Sequence, residues 1–222
     1  FMPRLKVLYE DNHIIAVAKP SGMLTQGDKT GDVSLFIEVK KYLKEKYSKS
    51  GSVFLGLVHR LDRPACGIVL FAKTSKGASR LSEQFRNKKI KKIYHVLVEG
   101  VPNENPGIIL TCLKKDEKSK KAVVINSDKN TKPVKLAYGV IKSNEKLSLL
   151  KVQIESGKFH QIRAQLSSIG LPVAGDLKYG ASFPMKDKSI ALCASSITFK
   201  LATKNETKNI SIPVPEAWKK LL

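Results

Sequence analysis

The residues best placed to do chemistry stand together in His59-Arg60-Leu61-Asp62-Arg63-Pro64-Ala65-Cys66-Gly67. One carboxylate lies between two guanidinium groups, and such neighbours keep an acid ionised. A charged segment of this kind, held by a rigid scaffold, is a common seat of catalysis. The alternative is a charged turn whose Asp and Arg pair at the surface, and local sequence leaves both readings open. A second loaded segment is Glu155-Ser156-Gly157-Lys158-Phe159-His160-Gln161-Ile162-Arg163-Ala164-Gln165-Leu166. Phe159, Ile162, Leu166 and Ile169 recur at helical spacing, so a helix is expected over 158–169, with His160 and Arg163 on one side of it. Taken alone, a His and an Arg on a helix are more often structural or solvated than functional.

The elements around these segments follow from periodicity. Apolar runs at 53–58 and 68–72 flank the Asp62 segment and read as buried strands. Residues 5–19 read as a hairpin turning at Glu10-Asp11-Asn12, stopped by Pro20-Ser21-Gly22. Asp32 or Ser34 is a candidate N-cap for a helix over 33–47, with Val33, Phe36, Ile37, Leu43 and Tyr47 at helical spacing. A second helix over 75–87 is expected to pack through Ala78, Leu81 and Phe85. Residues 101–151 read as a run of antiparallel strands and turns, with a Lys-rich turn at 114–121. Residues 190–194 and 197–199 are the last core stretches. No interdomain linker or internal repeat stands out, so one domain over 1–222 is expected. Strands in the middle with inserted helices favour an α+β fold with a mixed, mainly antiparallel sheet.

Charge is the most unusual bulk property. Forty Lys and Arg against 19 Asp and Glu give a formal net charge of +21 over 222 residues. A surplus of that size calls for a polyanionic partner, nucleic acid before membrane. Residues 86–92 and 114–121 cluster it, and both are candidate phosphate contacts. No apolar run approaches the roughly 18–20 residues needed to span a bilayer, and the start of the chain lacks a signal-peptide stretch. Cys66, Cys112 and Cys193 are odd in number and far apart. They suggest neither zinc nor a disulfide framework, and a reducing cytoplasm fits them. An RNA- or DNA-cleaving enzyme would want clustered carboxylates for metals or a His pair. His13, His59, His95 and His160 lie in unrelated segments, and no such acidic cluster stands out.

Read together, several ordered motifs carry a resemblance. They are His13-Ile14-Ile15-Ala16-Val17-Ala18-Lys19-Pro20-Ser21-Gly22-Met23, the Asp62 segment with Gly67, Lys92-Ile93-Tyr94, Gly157-Lys158-Phe159-His160-Gln161-Ile162-Arg163, and Ile169-Gly170-Leu171-Pro172-Val173-Ala174-Gly175-Asp176 with Tyr179-Gly180. Each is weak alone, but in this order they are specific. Over nearly its whole length the chain resembles the RluA-type family of RNA pseudouridine synthases. It departs from the family at Ala65-Cys66, where Thr-Ser is usual, and at Lys158-Phe159, where Arg-Thr is usual.

The resemblance implies a pseudouridine synthase fold, the sheet flanked by helices around a central active-site cleft. It implies isomerisation of uridines in structured RNA, either rRNA or tRNA. The N1–C1′ bond breaks, the uracil turns over, and C5 is joined to C1′. Nothing is added or lost, so no cofactor and no metal are demanded. Asp62 is implied as the catalytic carboxylate, acting on C1′ as nucleophile or on a ribose proton as base. Arg163 is implied as its ion-pair partner, and Tyr94 as the ring against the target base. Arg60 is implied to fill the helix when the uridine is flipped out. Leu192 and Ile162 are implied in substrate binding. His59 is expected to be structural. A catalytic domain without the family's S4 RNA-binding domain, monomeric and cytoplasmic, is expected. A non-catalytic RNA-binding protein of the same fold would be favoured if Asp62, Tyr94 or Arg163 were replaced, and none is.

Overall fold

The computed structural model describes residues 5–125 and 131–222. The start of the chain, residues 1–4, lies outside the described residues. The elements are α+β, and the strand pairs detailed below are all antiparallel. The chain divides into two compact units: residues up to Ile90 with Ser196–Ile212, and Lys91–Ser195 with Pro213–Leu222.

In the first unit, β1 (Lys6–Glu10) and β2 (Ile14–Lys19) form the expected hairpin. Its turn is an Asx turn, in which Asp11 Oδ1 accepts the N–H groups of His13 and Ile14, both at 2.7 Å. β3 (Gly56–Leu57) is only two residues long, and β4 (Cys66–Ala72) pairs along its length with β2. The expected strand over 53–58 is thus mostly absent. There are two reasons: β4 ends at Ala72 opposite Gly56, so 53–55 have no strand to pair with, and beyond Leu57 the His59 Nε2 accepts the Leu70 N–H at 2.9 Å in place of a backbone partner.

β2 and β4 are apolar without interruption because both of their faces are covered. Ile15, Val17, Val69 and Phe71 face α1 (Leu35–Lys46) through Leu35, Val39 and Leu43. Ile14, Ala16, Ile68 and Leu70 face α2 (Ser75–Arg86) through Leu81 and Phe85. Side chains alternate faces along a strand, so each strand feeds two cores. Burying each of the Val, Ile, Leu and Phe side chains among them fully contributes about 1.5–3 kcal/mol. α1 begins after Ser34, whose hydroxyl makes no capping bond, and its buried stripe is i, i+4, i+8 from Leu35. Val33, Ile37 and Tyr47, expected inside, are exposed. α2 is capped by Thr74 Oγ1, which accepts the Gly77 N–H at 3.1 Å.

In the second unit, β5 (Lys91–Glu99), β9 (Leu147–Ile154), β8 (Val134–Ser143), β6 (Gly107–Asp116) and β7 (Lys121–Ile125) pair in that order. β6 runs on to Asp116, so Lys114 and Lys115 belong to a strand, not to the turn. α3 (Gln161–Ser168) packs on the β6–β7 hairpin through Ala164, Ala122, Leu113 and Tyr179. α3 ends in a Schellman motif: Leu171 N–H bonds Leu166 O at 3.0 Å and Gly170 N–H bonds Ser167 O at 3.1 Å, with Gly170 at φ 77°. A 3₁₀ turn follows at Leu177–Tyr179. The two expected core stretches near the end are one strand, β10 (Leu192–Lys200), which enters the first unit at Ser196 and pairs there with β11 (Thr207–Ser211). A short helix, α4 (Glu216–Lys219), buries Trp218.

Candidate active site

Asp62 lies in the loop between β3 and β4, partly exposed, and both of its neighbours are clamped. On one side, Thr25 Oγ1 donates to Leu61 O at 2.9 Å and accepts Leu61 N–H at 3.2 Å. On the other side, Arg63 O accepts from Gly22 N–H at 2.8 Å and from Lys19 Nζ at 3.1 Å. Ala65 N–H closes a turn onto Asp62 O at 3.1 Å. The backbone carrying the carboxylate is therefore held at residues 61, 63 and 65. His59, bonded to Leu70 N–H and packed on Phe85 at 4.9 Å between ring centroids, has the structural role expected of it.

The two arginines of the segment go different ways. Arg60 is exposed. Arg63 Nε donates to Gly22 O at 3.0 Å, and its Nη2 pairs with Asp32 at 2.7 Å. So Arg63 joins the loop to the segment before α1.

Lys19 is the main element of this clamp that sequence reasoning missed. It is 1% exposed, and its Nζ donates to the carbonyls of Pro20, Met23 and Arg63 at 3.0, 2.8 and 3.1 Å. Burial pushes its pKa down to about 8, an effect that the charges of Cys66 and Asp62 oppose and that of Arg63 reinforces. A cation confined under the loop thus feels the Asp62 carboxylate. The only signal in the sequence is a lysine at the end of an apolar strand and directly before Pro20-Ser21-Gly22. A cavity of about 270 Å³ in this unit is lined in part by Lys19 and Pro20, but Asp62 is not among its walls.

Tyr94, Ile162, Arg163 and Leu192 belong to the second unit, while Arg60 and Asp62 belong to the first. Tyr94 stands in β5 opposite Val152 and is 9% exposed. Leu192 opens β10 and Ile162 sits in the first turn of α3, both buried. Arg163 is buried beside it. Its Nε donates to Asp176 Oδ2 at 2.6 Å and its Nη2 to Asp176 Oδ1 at 2.9 Å, a bidentate pair with side chains 5% and 1% exposed. Its guanidinium carbon lies 4.9 Å from the centre of the Tyr179 ring. Asp176 and Tyr179 fall within the motif Gly175-Asp176 … Tyr179-Gly180, which was legible as a motif but not as the cradle of Arg163.

His160 is not on the helix with Arg163, as expected, but precedes it in the left-handed region at φ 50°. The reason is the Gln161 side chain, whose Oε1 accepts from Ser156 Oγ at 2.7 Å and from Lys158 N–H at 3.3 Å, so that the helix starts at Gln161. The loop before it is also held by Lys92, whose Nζ donates to Ser156 O at 3.0 Å. Lys92 is buried, and burial pushes its pKa down to about 8. It therefore leaves the basic run 86–92 as a phosphate contact. Among the described residues, no group of three or more His, Cys, Asp or Glu could hold a metal ion, and no helix is long and apolar enough to cross a membrane.

Residues 13–168 match the family described as RNA pseudouridylate synthase. The chain is 33% identical over 226 residues to an uncharacterized RNA pseudouridine synthase of Aquifex aeolicus, covering 97% of this chain and 71% of the relative. It is 29% identical over 222 residues to the ribosomal large subunit pseudouridine synthase C of Vibrio parahaemolyticus, covering 97% and 68%. In fold it is similar to human RNA pseudouridylate synthase domain containing 4, with a TM-score of 0.79 at 20% identity over 96% of this chain and 90% of that one.

Proposed function

This chain belongs to the RNA pseudouridylate synthase family and is an RNA pseudouridine synthase, and we propose that Asp62 is the carboxylate with which it detaches and rejoins the uracil. The observation that carries this reading is the clamp on the Asp62 loop: Thr25 on Leu61, and Lys19 with Gly22 on Arg63. A single carboxylate held on a fixed backbone is suited to a reaction that needs one positioned acid and no cofactor.

The other roles follow in turn. Arg163, itself held by Asp176, is the cation that keeps Asp62 ionised and oriented. Tyr94 packs against the detached base and keeps it from escaping, and its hydroxyl helps remove the C5 proton. As the N1–C1′ bond breaks and the C5–C1′ bond forms, C5 loses a proton and N1 gains one, so the reaction balances without a co-reactant. Arg60, exposed in the same loop, fills the stack that the flipped uridine leaves. Leu192 and Ile162 are apolar wall. The substrate is a uridine in structured RNA, with rRNA first because several relatives are named for the large ribosomal subunit, and tRNA second. The enzyme acts as a monomer in the cytoplasm, a compartment that suits its scattered cysteines.

The test is tritium release from RNA labelled at uridine C5, using rRNA fragments and total tRNA, for the wild type beside Asp62→Asn. Release by the wild type that disappears in Asp62→Asn, with RNA binding kept, is the expected result. Equal release by the variant removes Asp62 from this role, and binding without release by the wild type favours an RNA-binding protein of the same fold.

A further inference from the structure

Phe159 is placed oddly for an apolar residue. Helical spacing put it on the buried face of α3, yet it is 42% exposed. His160, in the left-handed conformation, separates it from the helix. Its ring does not fold onto the core. It lies flat on the His160 imidazole, with centroids 3.8 Å apart and planes 19° from parallel.

The backing of that ring is fixed. His160 Nδ1 is 2.8 Å from the Tyr179 hydroxyl, which accepts the Ala122 N–H at 2.7 Å. Tyr179 is buried and meets His160 edge to face, with planes at 80°. The His160 ring behind Phe159 is thus held in place, so less ordering entropy is lost when a base stacks on the pair than on a lone side chain.

The surroundings are cationic. Lys158 precedes Phe159 and is exposed. Lys115 Nζ lies over the Phe159 ring, 5.6 Å from its centre, so it must move off that face as a base stacks there. Its ion pair with Glu117 joins two exposed side chains, which a phosphate can replace easily. Lys114, Lys118 and Lys120 are exposed on the same hairpin. A rigid aromatic face amid lysines is the arrangement that single-stranded nucleic acid binds: bases stack and phosphates meet the cations.

We propose that Phe159, backed by His160, is a stacking platform for an unpaired nucleotide of the substrate RNA other than the reacting uridine, with Lys115 and Lys158 on its phosphates. This rests on RNA being the substrate, but not on the role given to Asp62.

The test uses the whole chain and an oligouridylate of about ten nucleotides, with Phe159→Ala, Phe159→Leu and Phe159→Trp. Phe159→Ala and Phe159→Leu are expected to weaken binding about tenfold at a fixed salt concentration, leaving the slope of affinity against salt unchanged because no charge is removed. Phe159→Trp is expected to bind like the wild type, with its indole emission quenched as RNA is added. The chain's one natural tryptophan, Trp218, is buried and provides a constant background. Binding of Phe159→Ala within twofold of wild type overturns the proposal. So does full binding by Phe159→Leu, unchanged emission from Phe159→Trp at saturation, or a wild type that does not bind oligouridylate. Asp62→Asn separates the two readings, since normal oligouridylate binding without tritium release by wild type or variant counts against the catalytic reading alone.

Discussion

Asp176 and Arg163 meet edge to edge inside the second unit, through Nε–Oδ2 at 2.6 Å and Nη2–Oδ1 at 2.9 Å. The Tyr179 ring lies alongside, and the Ser167 hydroxyl bonds the Tyr179 carbonyl at 2.6 Å, so the turn that carries Asp176 is itself tied to α3. A buried bidentate pair sets the plane of a guanidinium as well as its position. Asp176→Asn keeps the shape but removes the charge, leaving Arg163 with one charged partner fewer. Breaking such a pair costs roughly 3–5 kcal/mol. Denaturant unfolding should show a loss of that size. Tritium release measured where the variant is still folded should show a fall in kcat with little change in KM for RNA. A variant with normal kcat would mean that Asp176 serves stability alone. Within the first unit, Lys19 supports the Asp62 loop in a comparable way, bonded to three backbone carbonyls.

At the scale of elements, Glu10 is the clearest pin. It ends β1, and its carboxylate receives Lys46 from the end of α1 at 2.7 Å, Tyr47 at 2.7 Å and Lys73, just beyond β4, at 2.6 Å. Burial raises its pKa, but the hydrogen bonds from Lys46, Lys73 and Tyr47 outweigh burial and bring it down to about 2 from an ordinary 4.5. A folded pKa below the unfolded one means that this stabilisation is complete above pH 4.5 and drains away as the pH falls towards 2. Glu10→Gln should therefore lower the melting temperature at neutral pH and flatten the acid limb between those two values. Parallel acid limbs for wild type and variant would show that Glu10 is not the group responsible. Elements of this kind were legible where a period decided them: the β1–β2 hairpin, α2 and the antiparallel run after residue 101. They were illegible where a side chain displaced the backbone rule. His59 takes the Leu70 N–H and stops β3 at Leu57, while Gln161 starts α3 three residues late. The candidate residues were legible as motifs, but their supports were not, because Lys19 reaches a carbonyl 44 positions away and Arg163 an acid beyond a helix stop and a turn.

For the molecule as a whole, the positive charge is shared. The first unit has 20 Lys and Arg against 9 Asp and Glu, and the second has 20 against 10, so they carry +11 and +10 of the total +21. Neither unit is the neutral scaffold of a basic partner, and each is expected to contribute phosphate contacts. The exposed basic residues of the first unit include Arg60, Arg86, Lys88 and Lys89, and those of the second include Lys114, Lys115, Lys118, Lys120 and Lys158. Each phosphate neutralised releases counterions and steepens the fall of affinity with salt by about 0.7–0.9 in the log–log slope. With six to ten contacts, affinity should drop roughly 10³–10⁵-fold between about 50 and 200 mM salt. The distribution can be tested by changing Lys115, Lys118 and Lys120 to Gln together and measuring binding of an rRNA fragment across that range. If both units hold the RNA, the slope should shrink by no more than about 2.7, the share of three phosphates, and tritium release should survive at low salt. A slope that collapses towards zero would place the electrostatic contact on the β6–β7 hairpin alone. The surplus on the first unit would then have no part in binding RNA, and the steep salt dependence would belong to one hairpin and not to the charge of the whole chain.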